Sequence, residues 1–358
     1  MLKLLDSVKE TERKAASSLE DLLRRIPAIK LKELRQQNWI SDGGADLIAK
    51  VDASGKTYLL VCEVKRNGQP RHVRDAVYRL KSYVAELGKP ATPILIAPYL
   101  SAAAREICTE NEVSFLDFEG NARIAFGTVY IERLQAGKPE PERREFKSLF
   151  SPKSAQILRA LLRQPSQVWK VTDLALAARV SLGHVSNVRT ALLAREWAKV
   201  ESEGLRLVAP DLLLDAWQAN YKAPVDQELR FYTVLHGTSL ETAIRDLFAD
   251  QITDVALSSF SAAQWISPFA RTGTHQFYAD PRALKGLENK LRLSSPLRGE
   301  NVIVSIPKDT GIFLDVYEPV PGIRCTSPVQ TYLDLSVSGE RGAEAAEHLR
   351  QTRLKWQN

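Results

Sequence analysis

Cysteine is scarce in this chain: Cys62, Cys108 and Cys325 are odd in number and far apart. That argues against a disulfide framework or a thiolate metal cluster, and it makes the cytoplasm the expected compartment. Long apolar runs are missing too. No stretch approaches the roughly 20 apolar residues that a membrane-spanning helix needs, and the opening residues turn charged too soon for the apolar region of a signal peptide. His72, His184, His236, His275 and His348 stand singly, without zinc-ligand spacing. Neither a Walker-type glycine loop nor a nucleophile elbow occurs.

What is present is ordinary in bulk and uneven in detail. Of 358 residues, 44% are apolar and 26% charged, as in a globular protein, and the length predicts two or three domains. A net charge of +6 leans towards a polyanionic partner, although the placement of charge matters more than its sum.

The most informative stretch runs from Gly44 to Lys65. Two apolar, β-branched arms flank Ala53-Ser54-Gly55-Lys56, a polar link with glycine where a tight turn needs it. A turn centred between Ser54 and Gly55 sets Asp52 opposite Thr57 and Asp46 opposite Glu63, with β-carbons roughly 5 Å apart. Period-two alternation then sends Glu63 and Lys65 to one face and Val64 to the other. Two close acids repel unless a cation lies between them, so Mg²⁺ or Mn²⁺ is the expected cofactor. A neighbouring lysine would orient or help deprotonate a metal-bound water, or offset charge on a phosphate.

At Asp46, Glu63 and Lys65 the chain resembles the PD-(D/E)XK nuclease superfamily, an acid entering one strand and Glu-X-Lys leaving the next. Ala45 stands where that family often has proline. The resemblance implies a restriction-endonuclease-like αβββαβ core over residues 1–140, with Asp46, Glu63 and Lys65 catalytic and Asp46, Glu63 and the Val64 carbonyl on the metal. It also implies a further acid from an early helix, with Glu12, Glu20 and Glu33 all open. The surrounding pattern fits. Helical spacing runs from about Leu4 to Ile26, through Leu5, Val8, Ala15, Leu19, Leu22 and Leu23, and Pro27 ends it. Ile29 and Leu31 suggest an edge strand, and a helix from Pro70 to Gly88 buries Val73, Val77, Leu80, Val84 and Leu87. Arg71 and Arg74 on that helix are candidate DNA contacts, and Gln69 a candidate polar contact to substrate. Thr92 to Ala97, Val113 to Phe118, Ala122 to Phe126 and Val129 to Leu134 read as strands, with a helix capped by Ser101 among them. Asp117 and Glu119 read as turn residues. Gly137-Lys138-Pro139-Glu140-Pro141 has linker composition.

From residue 148 to 210 the pattern changes to helices. Ile157, Leu158, Leu161 and Leu162 line one, Val171 to Ala178 forms a second, and Ser181 caps a third seated by Val185, Val188, Leu192 and Leu193. His184, Ser186, Asn187 and Arg189 then face outward, donors able to reach base edges or phosphates. This looks like a winged helix-turn-helix, with Ala198 to Val208 as the wing. Lys153, Arg159, Arg163, Lys170, Arg179, Arg189, Arg195, Lys199 and Arg206 outnumber the acids, which favours double-stranded DNA as partner.

Residues 211–358 are α/β in texture, with a helix from Leu240 to Ala249 and strands at 255–259, 301–306 and Ile312-Phe313-Leu314. Over roughly the last 200 residues the chain resembles antitoxin regulators of the abortive-infection type IV toxin-antitoxin family. That resemblance implies promoter DNA as ligand and a cognate toxin as a further partner. It also implies a nucleotidyltransferase-like domain, catalytically degenerate here because the Gly-Ser and Asp-X-Asp metal motif are missing. Asp334, Glu340, Arg341 and Glu344 read as a structural salt-bridge and capping cluster. The expected architecture is thus α/β and multi-domain. Its function is either metal-dependent DNA hydrolysis or non-enzymatic regulation, in which the nuclease-like fold serves as a clamp or homodimer surface. A third reading is an assembly factor that touches other proteins.

Overall fold

The computed structural model describes residues 2–36, 45–135, 139–249, 254–269, 272–295 and 299–356. Gly44, Gly137, Lys138 and the side chain of Leu5 lie outside the described residues. The chain is mixed α/β with several sheets and divides into two compact units, residues 1–143 with 193–196 and residues 144–192 with 197–358. No helix among the described residues is long and apolar enough to cross a membrane.

In the first unit α1 (Leu2–Arg24) precedes β1 (Ile29–Gln36), β2 (Leu47–Ala53) and β3 (Lys56–Val64). Then come α2 (Pro70–Glu86), β4 (Thr92–Ala97), α3 (Ala102–Glu110), β5 (Ser114–Asp117), β6 (Ala122–Phe126) and β7 (Val129–Arg133). The seven strands form one sheet in chain order, parallel at β3–β4 and β4–β5 and antiparallel elsewhere. Parallel neighbours need a crossover, and α2 and α3 supply the two.

The β2–β3 turn has Ser54 at φ 50° and Gly55 at φ 76°, the left-handed pair that a two-residue hairpin turn demands. The register follows from it: Asp52 pairs with Thr57 and Leu47 with Cys62. Alternation then distributes the core. Leu47, Ala49, Val51, Leu60 and Cys62 pack with Ala15, Leu19 and Leu23 of α1 on one face. Val61, Leu95 and Phe115 pack with Val73, Val77, Leu80 and Ile107 on the other. Each fully buried leucine contributes about 1.5–3 kcal/mol, so the sheet is held from both sides.

The expected linker is in part a helix, α4 (Glu140–Leu149). Glu140 and Glu142 in its first turn complement the helix dipole, and Pro141 is tolerated there because its missing N–H would have had no helical partner.

The second unit holds α5 (Pro152–Arg163), α6 (Val171–Ala177), α7 (Leu182–Ala194) and the hairpin β8 (Ala198–Glu201) and β9 (Gly204–Leu207). Trp169 bridges to Leu205 as a third short rung. Next come α8 (Pro210–Ala219), β10 (Val225–Phe231), α9 (Gly237–Ala249), β11 (Val255–Leu257), α10 (Ser259–Ile266), β12 (His275–Ala279), α11 (Leu284–Leu291) and β13 (Val302–Pro307). A 3-10 helix (Thr310–Asp315), β14 (Val316–Val320), β15 (Ile323–Thr326), α12 (Pro328–Ser336) and α13 (Gly339–Arg353) complete it. The six-stranded sheet has the order β10-β13-β12-β11-β15-β14.

One expectation fails here. Ile312-Phe313-Leu314 is the 3-10 helix and not a strand: Asp309 caps its start, with Oδ1 accepting the Gly311 N–H at 2.8 Å. The second unit runs on across residue 210, and within it α5 has nine consecutive buried residues, Ser154 to Leu162.

Candidate functional site

The β2–β3 hairpin ends where the first candidate site begins. The Asp46 N–H donates to the Cys62 carbonyl at 2.9 Å, carrying the ladder one step beyond β2. Its carboxylate Oδ2 accepts the Val64 N–H at 2.6 Å. Glu63 follows on β3, and Lys65 Nζ donates to Glu63 Oε1 at 2.5 Å. Arg79 of α2 reaches the same oxygen at 3.3 Å. Asp46 and Glu63 are 5% and 4% exposed, so these charges sit in a poorly hydrated place. Burial pushes the Glu63 carboxyl above its ordinary range, the Lys65 bond pulls it back, and the charge of Asp46 raises it again.

Of the three acids left open as a further donor, Glu12 is the one that feels the charge of Asp46. Its carboxyl is raised first by burial and then by the charge of Asp46. Glu20 pairs with Arg24 one helical turn on, and Glu33 is engaged by Lys50 and Arg35. Even so, among the described residues no group of three or more His, Cys, Asp or Glu side chains is placed to hold a metal ion. The donors suited to Mg²⁺ or Mn²⁺ are therefore Asp46 and Glu63, hard oxygens whose mutual repulsion a divalent cation would offset. Val64 presents its N–H to Asp46 and continues the parallel pairing with β4 opposite Ile96.

The neighbouring residues have structural partners. Gln69, expected as a substrate contact, is buried and donates to Glu142 at 3.0 Å. Arg74, expected on DNA, donates to both carboxylate oxygens of Glu196 at 3.1 and 3.0 Å, while Arg71 is exposed. Asp117, expected in a turn, is the last residue of β5, and its carboxylate accepts from the Leu100 and Asn121 N–H groups and the Asn121 amide.

In the second unit α7 carries the expected contacts. Ser181 Oγ accepts the His184 N–H at 3.3 Å, and Ser181, Ser186 and Asn187 are exposed. The His184 ring turns inward instead, its Nε2 3.1 Å from Ser154 Oγ of α5. Arg189 is half-buried and Lys170 exposed.

The basic excess of this segment is largely spent internally. Arg159 is buried, Lys153 pairs with Asp309, Arg163 with Asp315, and both Lys199 and Arg206 with Glu201. Arg195 pairs with Glu142. That leaves Lys170, Arg179 and Arg189 with no ion pair among the described residues.

The residues that sequence reasoning placed wrongly lie deeper in the second unit. Asp334, expected in a structural salt-bridge and capping cluster, is buried among neutral donors. Its Oδ1 accepts from Tyr221 OH at 2.5 Å, Gln330 Nε2 at 3.0 Å and Tyr278 OH at 3.1 Å. Glu340, Arg341 and Glu344 are exposed on α13 and take no part.

Comparison with known proteins adds one local match. Residues 206–355 match a family described as transcriptional regulator, AbiEi antitoxin, type IV toxin-antitoxin system. No curated protein matches the chain. A solved structure of EndoMS in apo form aligns at 18% identity over 35% of this chain and 47% of its own length, with a TM-score of 0.22. The chain thus spans less than half of that structure.

Proposed function

We propose that this chain is a DNA-binding transcriptional regulator of the antitoxin kind. The observation that carries the reading is the match of residues 206–355 to a regulator family, directly after a three-helix module with a β-hairpin. In this reading the module is a winged helix-turn-helix. Ser186 and Asn187 of α7 address base edges, while Lys170, Arg179 and Arg189 meet phosphates. Promoter DNA is the ligand, and a toxin protein encoded with the chain is the regulatory counterpart. The test is fluorescence anisotropy of the full chain on the DNA upstream of its own coding sequence, across a salt series. Tight binding that weakens steeply with salt supports the reading. Absence of binding at low salt overturns it and favours a protein-binding scaffold.

A second reading has its own support. The sequence-derived register brings Asp46, Glu63 and Lys65 to one end of the sheet, as a PD-(D/E)XK nuclease needs. Asp46 and Glu63 would hold Mg²⁺ or Mn²⁺, which polarises the phosphate and lowers the pKa of a bound water. Lys65 would orient that water, and Arg71 would bind the strand. Nicking of supercoiled plasmid with Mg²⁺, lost in Asp46→Ala and Lys65→Ala while DNA binding persists, supports hydrolysis. Equal nicking by wild type and both variants rejects it.

A further inference from the structure

Helix α5 is buried all round, which a helix on the surface of a module is not. Its apolar side carries Ile157, Leu158, Leu161 and Leu162. Its polar side carries Gln156 and Arg159, and these reach the 3-10 helix and α12. Arg159 Nη1 donates to Gln330 Oε1 and Nη2 to the Gly311 carbonyl, both at 3.1 Å. Gln156 Nε2 donates to Asp309 Oδ1 at 2.6 Å. The Gln156 amide lies so close over Gly311 that a β-carbon there would overlap it at 1.6 Å. Gln330 passes the chain on to Asp334. At the far side of α5, Ser154 holds the His184 ring of α7.

The chain is unevenly satisfied. Asp334 Oδ1 takes three donors, whereas Asp334 Oδ2, Arg159 Nε and Gln156 Oε1 are buried without a hydrogen-bond partner. A buried carboxylate oxygen with no donor is costly when charged and much less so when protonated. We propose that the Arg159–Gln330–Asp334 chain is a proton-operated joint, in which the charge on Asp334 sets how firmly α5 is held on α12 and the 3-10 helix. The proposal goes beyond the regulatory reading, and its test needs no DNA.

The surrounding groups fix the direction. Burial pushes the Asp334 carboxyl up to about 6, against the bonds from Tyr221, Gln330 and Tyr278 and the charge of Arg159 from α5. Tyr221 and Tyr278 are themselves raised well above the ordinary tyrosine range by burial, so they stay neutral donors. Asp309 and Asp315, the other anions near Arg159, are taken by Lys153 and Arg163. From α13 the facing charge is Arg350, over the Tyr332 ring and held by Asp211 and Asp215. Helix α10 offers no ionisable side chain. A carboxyl that titrates near 6 in the closed joint and at its ordinary 3.8 when hydrated binds its proton better closed. Acidification through about 6 therefore tightens the joint, and neutral pH loosens it.

Amide hydrogen exchange of the full chain, corrected for intrinsic rates, tests this in the peptides covering 152–163 and 328–336. Between about pH 7.5 and 5.5 the linkage gives roughly a fourfold rise in protection of α5 in the wild type. In Asp334→Asn, which mimics the neutral acid, protection is high and flat with pH. In Gln330→Met, which cuts the link, the pH response stays in 328–336 and disappears from 152–163. A wild-type profile flat with pH overturns the proposal, as does an equal pH response of α5 in wild type and Gln330→Met. These readouts stand even where Asp334→Asn fails to fold.

Discussion

Two buried carboxylate sites, one in each unit, are held in opposite ways. In the first, Asp46 and Glu63 are brought together at a sheet end with Lys65 and Arg79 on one oxygen, so acid faces acid and the balance is electrostatic. In the second, a single acid, Asp334, is surrounded by neutral donors and linked to its cation only through Gln330. Under the two proposals made for them, the first site gains from an added ion and the second changes its charge by taking up a proton.

The largest expected effect lies outside both carboxylate sites and asks whether either is coupled to DNA. Replacing Lys170, Arg179 and Arg189 together by glutamine should weaken promoter binding by about 100-fold or more. It should also cut the slope of log affinity against log salt by about 2.7, roughly 0.9 for each phosphate no longer neutralised. Anisotropy titrations at several salt concentrations would show it. Asp46→Asn should leave that binding unchanged and weaken Mn²⁺ uptake by at least about tenfold, measured by calorimetry. Uptake unchanged by the substitution would remove the distinction drawn between the two sites.

In the second unit, Tyr278→Phe deletes one donor to Asp334. The loss should be about 1–3 kcal/mol in urea unfolding at about pH 8, where the carboxylate is charged. The sign with pH follows from Asp334 being raised to about 6: the closed site is relieved as pH falls through that value, so the effect of the substitution should shrink by about pH 5. Ser154→Ala is the mildest change. It removes the hydrogen bond to His184 and should cost about 0.5–1.5 kcal/mol by the same measurement.

Much of the first unit was legible because its signals are local. Ser54-Gly55 fixes the turn, the turn fixes the register, and period two assigns the faces of Glu63, Val64 and Lys65. Which of Glu12, Glu20 and Glu33 lies within reach of the charge of Asp46 was not legible. Helical periodicity says which side of α1 is buried but not how high along the sheet each residue stands. Arg74, His184 and Arg159 misled because a polar residue on a helix reads as exposed, and their partners Glu196, Ser154 and Gln330 come from distant stretches. One signal was available for α5. Ala155, Ile157, Leu158, Ala160, Leu161 and Leu162 spread over more than one stripe, so Gln156 and Arg159 had little open surface left to occupy.

The order of strands has a consequence for how the protein is made. β1 to β7 each lie beside their neighbours in sequence, so each strand finds its partner in chain already made and assembly can keep pace with emergence from the ribosome. The later sheet, β10-β13-β12-β11-β15-β14, joins β10 to β13 and β11 to β15 out of sequence and must wait for its last segments. A pulse of protease during synthesis should therefore find the seven-stranded half resistant first.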